Sequence, residues 1–169
     1  METLFSARKI QRKIKQLGTQ ITKDYQGQPV TLVCVLKGGF IFAADLARRI
    51  KLPVKIDFIG MKSYDGTDST GSVQITHDLS FPVKNSNVLI IEDIIDTGLT
   101  SSYLLNLLSV REPKSIKLCS LLHKPSKTVK DVKIDYLGFT IEDLFVVGYG
   151  LDYNQECRNL PDIQVLNEY

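Results

Sequence analysis

The chain has 169 residues, of which 43% are hydrophobic and 24% are charged. This length is typical of one domain, so we expect residues 1–169 to fold as a single unit. The formal net charge of +2 gives no reason to expect a nucleic-acid partner. No run approaches the roughly 20 apolar residues of a membrane span, and no signal-peptide core is visible. We therefore expect a cytoplasmic protein without a membrane partner.

The cysteines support the same compartment. Cys34, Cys119 and Cys157 are odd in number and far apart, and they show neither CxxC pairs nor zinc-site spacing. Cys34 and Cys119 lie within apolar runs, where we expect them to pack as small hydrophobic side chains. No disulfide framework is predicted, which is typical of a reducing compartment.

Hydrophobic periodicity predicts alternating helices and strands. Near the N-terminus, an amphipathic helix is indicated by the spacing of Leu4, Ile10, Ile14, Leu17 and Ile21. Its lysines and arginines then form a solvated face. Strands are predicted at 30–36, 54–62, 73–79, 88–91, 116–122, 136–139, 145–147 and 163–166, and helices at about 40–50 and 101–110. The polar segment 63–72 is predicted as a long loop, with 73–79 returning as a hairpin partner.

Two strand–helix–strand units in the middle of the chain favour an α/β fold. Such units build a mostly parallel sheet with helices on both faces. Ligands bind beyond the carboxyl ends of the strands in these sheets. The polar residues Lys37, Ser63, Glu92 and Lys124 each lie at the end of a predicted strand. We therefore expect their loops to meet at one edge of the sheet.

The segment 88–100 carries the strongest functional pattern. A buried apolar strand ends in Glu92 and Asp93, and a short polar loop then leads into a helix. Thr97 is predicted as the N-cap of that helix, and Gly98 would let the backbone approach a ligand. A helix N-terminus with free N–H groups suits a phosphate. Carboxylates beside it suit a ligand that also carries hydroxyl groups or a cation.

A ribose phosphate meets both requirements, and the segment resembles the phosphoribosyl-pyrophosphate motif of the type I phosphoribosyltransferases. The resemblance implies a central, mostly parallel twisted sheet flanked by helices, with a small hood built from the N- and C-terminal segments. It implies a ribose 5′-phosphate site formed by Glu92, Asp93, Asp96, Thr97, Gly98, Leu99 and Thr100. Some members of that family carry a lysine where this chain has Leu99. The phosphate would then depend on backbone N–H groups and on the hydroxyls of Thr97 and Thr100.

A second anion loop is indicated by Lys37, Gly38 and Gly39, where a cation and two glycines follow a strand. It resembles the pyrophosphate loop of hypoxanthine-guanine phosphoribosyltransferases, in which the peptide before the lysine is cis. The resemblance therefore implies a cis bond between Leu36 and Lys37. It also implies a lid over the pyrophosphate. The implied pyrophosphate site consists of Lys37, Gly38, Ser63, Tyr64 and Arg158.

The third cluster comprises Lys124 and the segment 145–158. Its order resembles the 6-oxopurine pocket of the same enzymes. The resemblance implies that Phe145 stacks on the purine, that Lys124 donates to O6 and that the Val146 carbonyl accepts from the purine edge. The implied purine site consists of Lys124, Phe145, Val146 and Asp152. The implied ligands for Mg²⁺ are Glu92, Asp93 and Asp152.

The implied reaction joins hypoxanthine or guanine to 5-phosphoribosyl 1-pyrophosphate and releases pyrophosphate, giving IMP or GMP. Mg²⁺ would bridge the diphosphate and the ribose hydroxyls. Asp96 would take the proton from purine N7 as a general base. The resemblance further implies a homodimer or homotetramer.

Two alternatives remain open at the level of sequence. One is a phosphoribosyltransferase that prefers xanthine, for which the same loops would serve. The other is a non-catalytic regulator that senses phosphoribosyl pyrophosphate and binds nucleic acid. A net charge of +2 counts against the regulator. An intact Asp96 also counts against it, because a sensor has no need of a base.

Overall fold

The computed structural model describes residues 1–63 and 73–166. These residues form three helices, nine strands and one short 3₁₀ turn at Pro125–Lys127. The helices are α1 (Ala7–Tyr25), α2 (Phe40–Ala47) and α3 (Leu99–Ser109). The strands are β1 (Glu2–Phe5), β2 (Val30–Leu36), β3 (Val54–Ser63), β4 (Val73–His77), β5 (Asn87–Ile95), β6 (Ser115–His123), β7 (Tyr136–Thr140), β8 (Val146–Val147) and β9 (Ile163–Val165).

The main sheet has six strands in the order β4-β3-β2-β5-β6-β7. All neighbours pair in parallel except β4, which returns antiparallel to β3 as the predicted hairpin. The chain runs outward from β2 in one direction and from β5 in the other. The boundary between β2 and β5 is therefore the switch point where α/β sheets bind ligands. The predicted fold class is confirmed.

The two central strands are buried on both faces, which explains their nearly continuous apolar sequences. Alternate residues of β5 serve different sides of the sheet. Leu89 and Ile91 pack in the cluster that contains the apolar faces of α1 and α2. Val88 and Ile90 pack in the cluster that contains α3. Helices on both faces therefore fix the strands whose ends carry the polar loops.

A separate three-stranded sheet, in the order β1-β9-β8, joins the two ends of the chain. This is the hood that the resemblance implied. Sequence analysis missed β1 and assigned Leu4 to the first helix, which is wrong because Leu4 lies in β1. Helix α1 begins after it, where Ser6 caps the N–H of Lys9. The carboxylate of Asp162 accepts the N–H of Ala7 at 2.5 Å, which ties the start of α1 to the hood.

Other predictions about single elements need correction. Helix α2 ends at Ala47, three residues earlier than predicted. Strand β5 does not stop at Ile91 but continues to Ile95, because it keeps its ladder with β6. The N-cap of α3 is Gly98, so the assignment of Thr97 as N-cap is wrong. The predicted loop 63–72 lies outside the described residues, apart from Ser63 at the end of β3.

The cysteines behave as predicted, since all three are free and Cys34 and Cys119 are buried. None of the helices in the described ranges is both long and apolar enough to cross a membrane.

Candidate active site

The candidate site lies at the carboxyl ends of β2 and β5. A cavity of about 160 Å³ opens where β5 passes into α3. It is lined by Glu92, Ile94, Ile95, Asp96, Thr97, Gly98, Thr100 and Ser101. Five of the seven residues predicted to bind ribose 5′-phosphate line this one cavity. It combines an acidic strand end with the start of a helix.

Two adjacent carboxylates mark the end of β5. Glu92 is only 4% exposed, and the hydroxyl of Ser101 donates to its Oε1 at 3.1 Å. Burial, helped by the neighbouring Asp93, raises the pKa of Glu92 to about 8. Burial also raises the pKa of Asp93 to about 6. Because both carboxyl groups resist ionisation in the absence of a ligand, this end of the strand favours ligands that bring hydroxyl donors or positive charge.

Asp96 has an unsatisfied oxygen. Its Oδ1 is buried, and none of the described residues supplies a hydrogen-bond donor to it. Buried polar atoms nearly always have a partner, so an orphaned carboxylate oxygen beside a cavity points to a missing ligand. Asp96 can accept a hydrogen bond or a proton from a molecule in that cavity.

The start of α3 completes the cavity. Gly98 has a φ of +79° and packs so closely on the carbonyl of Lys130 that a side chain would clash. As the N-cap it has no side chain to cap the helix, and Thr97 Oγ1 accepts only a long 3.4 Å bond from the N–H of Leu99. The first amides of α3 therefore remain available to an anion.

The loop after β2 lies beside this acidic strand end. The peptide bond between Leu36 and Lys37 is cis, as the resemblance implied. Gly38 packs against the carboxylate of Asp93, and Gly150 approaches the carbonyl of Gly38. The structure thus brings three distant segments together: the Lys37 loop, the end of β5 and the loop after β8.

Arg158 and Asp152 form an ion pair at 2.7 Å within that third segment. Arg158 also donates to the carbonyl of Gly150 at 2.7 Å. Gln155 accepts from Lys37 Nζ at 3.0 Å and from Arg158 at 3.3 Å, so it links the two cations predicted to bind pyrophosphate. Sequence analysis missed Gln155, because an exposed glutamine in a polar segment carries no distinguishing pattern.

Lys124 lies at the end of β6 on the other side of β5. It is 8% exposed, and its backbone N–H donates to the carbonyl of Ile95 at 2.9 Å. Its ammonium is 3.7 Å from Asp143, whose carboxylate also pairs with Lys127 at 2.9 Å. The hydrogen bond from Lys127 and the charges of both lysines lower the pKa of Asp143. Asp143, which pairs with the cation predicted to recognise the base, was missed by sequence analysis.

Phe145 keeps 36% of its surface exposed although it precedes the buried strand β8. Tyr153 meets its ring edge-on, with centroids 5.8 Å apart and an interplanar angle of 89°. Val146 follows as the first residue of β8 and is buried. Tyr153 was not predicted.

Some predicted residues cannot be placed. Tyr64 and the side chain of Ser63 lie outside the described part of the chain. Within residues 1–63 and 73–166, no three His, Cys, Asp or Glu side chains form a ready-made metal site. Glu92, Asp93 and Asp152 nevertheless supply hard oxygen donors. They fit a Mg²⁺ ion that takes its other ligands from water and substrate oxygens.

Comparison with known proteins identifies the family of the chain. A family model described as a phosphoribosyl transferase domain matches residues 1–154. The chain belongs to the phosphoribosyltransferase family, with the type I fold.

Several relatives of known name are similar to this chain over nearly its whole length. The chain is 48% identical over 166 residues to the hypoxanthine-guanine phosphoribosyltransferase of Bacillus subtilis, covering 98% of this chain and 92% of the relative. It is 45% identical over 166 residues to the hypoxanthine phosphoribosyltransferase of Buchnera aphidicola, covering 96% and 94%. A crystal structure of a hypoxanthine-guanine phosphoribosyltransferase from Bacillus anthracis has a TM-score of 0.94 and 43% identity, covering 98% of both chains.

Proposed function

We propose that this chain is a purine-salvage enzyme that transfers a phosphoribosyl group from 5-phosphoribosyl 1-pyrophosphate to hypoxanthine or guanine. The products are IMP or GMP and pyrophosphate. One observation carries the proposal: the buried Glu92, the half-buried Asp96 and the uncapped start of α3 share one cavity. This combination matches a ligand with hydroxyls at one end and a phosphate at the other. The names and high similarity of the relatives support the choice of base.

Residues in the cavity and beside it bind different parts of the ribose phosphate. Glu92 and Asp93 accept hydrogen bonds from the ribose diol. Burial raises the pKa of both groups, but hydroxyl donors from the ligand stabilise their ionised forms. The N–H groups at 96–100 and the hydroxyls of Thr97 and Thr100 hold the 5′-phosphate. Holding both ends fixes the anomeric carbon relative to the base.

The base is recognised on the other side of β5. Lys124 donates to O6, Phe145 stacks on the purine plane and the Val146 carbonyl accepts from the purine edge. A lysine at O6 favours an oxo group and rejects the amino group of adenine, because the amino group cannot accept its hydrogen bond. Asp96 takes the N7 proton as the bond from N9 to the sugar forms. Its buried unpartnered oxygen supports this role.

Pyrophosphate departs on the side of the Lys37 loop. Backbone N–H groups near Gly38, the ammonium of Lys37 and the guanidinium of Arg158 surround the leaving group, with Ser63 and Tyr64 as the proposed cover. Glu92, Asp93 and Asp152 would hold Mg²⁺, which when bound neutralises charge on the diphosphate. The positive charge that develops on the ribose ring is stabilised by the nearby carboxylates.

The proposed function is accompanied by a proposed domain organisation, location and oligomeric state. We propose one catalytic domain over residues 1–169, acting in the cytoplasm as a homodimer or homotetramer. The match of relatives over nearly the whole chain supports the single domain.

A direct assay tests the proposed function. Hypoxanthine, guanine, xanthine and adenine are each supplied with phosphoribosyl pyrophosphate and Mg²⁺, and nucleotide formation is followed by absorbance. We expect kcat/KM for hypoxanthine or guanine to exceed that for adenine by at least about 100-fold. Transfer to none of the four bases would contradict the proposal. A marked preference for xanthine would correct the choice of base.

A further inference from the structure

The segment that carries Asp152 and Arg158 has an unusual backbone. Gly148, Tyr149 and Gly150 have φ values of 95°, 51° and 101°, and Asn154, Gln155 and Cys157 are also positive. Such conformations persist only where surrounding contacts hold them. Among the three consecutive residues 148–150, only Tyr149 has a side chain that can hold the segment in place.

Tyr149 is anchored at both ends. Its N–H donates to the carbonyl of Leu160 at 2.8 Å, and its ring is 5% exposed. Its hydroxyl donates to Oδ2 of Asp45 at 2.5 Å. Asp45 lies on α2, which begins immediately after the Lys37 loop.

Asp45 is itself fixed. Gln11 of α1 donates to the same Oδ2 at 2.5 Å, and Arg48 pairs with Oδ1. Burial raises the pKa of Asp45, but the hydrogen bonds from Tyr149, Gln11 and Arg48 outweigh burial and leave the pKa below its ordinary value. Asp45 is therefore an ionised acceptor, and hydrogen bonds to charged groups are the stronger kind.

This hydrogen bond has a geometric consequence at the site. Gly150 follows Tyr149 directly, packs on the carbonyl of Gly38 and accepts from Arg158. Holding Tyr149 on α2 therefore sets the separation between the Lys37 loop and Arg158, whose side chains both donate to Oε1 of Gln155.

We propose that the Tyr149–Asp45 hydrogen bond is a positioning device for the pyrophosphate half of the site, which fixes the Arg158 segment against the Lys37 loop. The inference rests on the proposed function. Neither side chain needs to touch the substrate. Loss of this hydrogen bond should therefore weaken binding of the diphosphate donor and leave binding of the base unchanged, because other residues bind the base.

A pair of matched variants tests the inference. Tyr149→Phe removes the hydroxyl and keeps the ring. Tyr136→Phe is the control, because Tyr136 is 2% exposed and its hydroxyl also donates to an aspartate, Asp24, at 3.0 Å, but outside the site. We expect Tyr149→Phe to raise the KM for phosphoribosyl pyrophosphate about tenfold and to change the KM for hypoxanthine less than twofold. Tyr136→Phe should leave both values unchanged.

Variants of Asp45 supply a second readout. Asp45→Asn keeps an acceptor oxygen and should retain most of the donor affinity. Asp45→Leu has a similar volume without an acceptor and should reproduce the effect of Tyr149→Phe. Titration calorimetry with phosphoribosyl pyrophosphate should show the same order of affinities.

The outcomes separate cleanly. Equal donor KM values in Tyr149→Phe and Tyr136→Phe would overturn the inference. Similar changes in the KM values of both substrates and in kcat would also overturn it, because they would indicate a general loss of folded structure. An unmodified chain that transfers to no purine would refute the proposed function instead, whatever the variants do.

Discussion

Gly38 packs directly against the carboxylate of Asp93, so closely that a Cβ at position 38 would overlap Oδ2. The loop after β2 and the acidic end of β5 therefore share one surface. Their contact depends on the absence of a side chain, not on an attraction between charges. It explains why a glycine follows the lysine of this loop.

Replacing Gly38 with alanine should disturb that contact. The added methyl group must push Asp93 or the Lys37 loop aside, at a cost of about 1–3 kcal/mol. We expect Gly38→Ala to raise the KM for phosphoribosyl pyrophosphate at least about tenfold. Gly27→Ala is the control, because Gly27 has a φ of +81° but open space around it. That control should lower the melting temperature and spare donor binding, whereas equal donor KM values in both variants would contradict the prediction.

Asp96→Asn tests the proposed base. Asparagine keeps the shape of the side chain but cannot accept the N7 proton, so kcat should fall about 10²–10⁴-fold. Donor affinity, measured by titration calorimetry, should change less than about threefold. Asp78→Asn removes a carboxylate that pairs with Arg111 outside the cavity, and it should leave kcat intact. Wild-type turnover in Asp96→Asn would exclude the assigned role.

The site was predictable from sequence where its residues follow apolar strands. Strand β2 has the predicted bounds, because a continuous apolar run is followed by Lys37 and two glycines. The end of β5 was misjudged because Glu92 and Asp93 interrupt the apolar pattern. Only the ladder to β6, which pairs Glu92 with Ser120 and Ile94 with Leu122, shows that the strand continues.

Contacts between distant segments were not predictable. Strand β1 is four residues long and pairs with β9, more than 150 residues away, so no local period reveals it. Gln155, Asp143 and Tyr153 join the site through tertiary contacts of polar or turn segments. Their roles depend on backbone conformations such as the positive φ of Gln155, which residue types alone do not specify.

Lys124→Met tests recognition of the base. Methionine keeps much of the buried volume but removes the O6 donor, so kcat/KM for hypoxanthine should fall about 10–100-fold relative to that for adenine. Lys127→Met is a matched control, because Lys127 pairs with the same Asp143 carboxylate. Its hypoxanthine-to-adenine ratio should stay within about threefold of the wild-type ratio. Unchanged discrimination in Lys124→Met would overturn the assignment of Lys124.

The pH dependence of stability should report on Glu92. Its pKa rises from 4.5 to about 8 on folding, so between these values the folded state binds more protons than the unfolded state. The contribution of protonated Glu92 to the free energy of unfolding is complete below pH 4.5 and is lost as the pH rises towards 8. The full loss is on the order of 5 kcal/mol for a shift of this size. This corresponds to a fall of roughly 10–20 °C in melting temperature.

Glu92→Gln should flatten this profile, because a neutral amide has no proton to lose. Melting temperatures measured without substrate at pH 5 and pH 8 should differ clearly in the wild type and much less in the variant. Glu112→Gln removes an exposed carboxylate that pairs with Lys84, and it should keep the wild-type profile. If Glu92→Gln lost as much stability between pH 5 and pH 8 as the wild type, the buried carboxylate would not be the source. The acidic end of β5 would then be ionised before any ligand arrives.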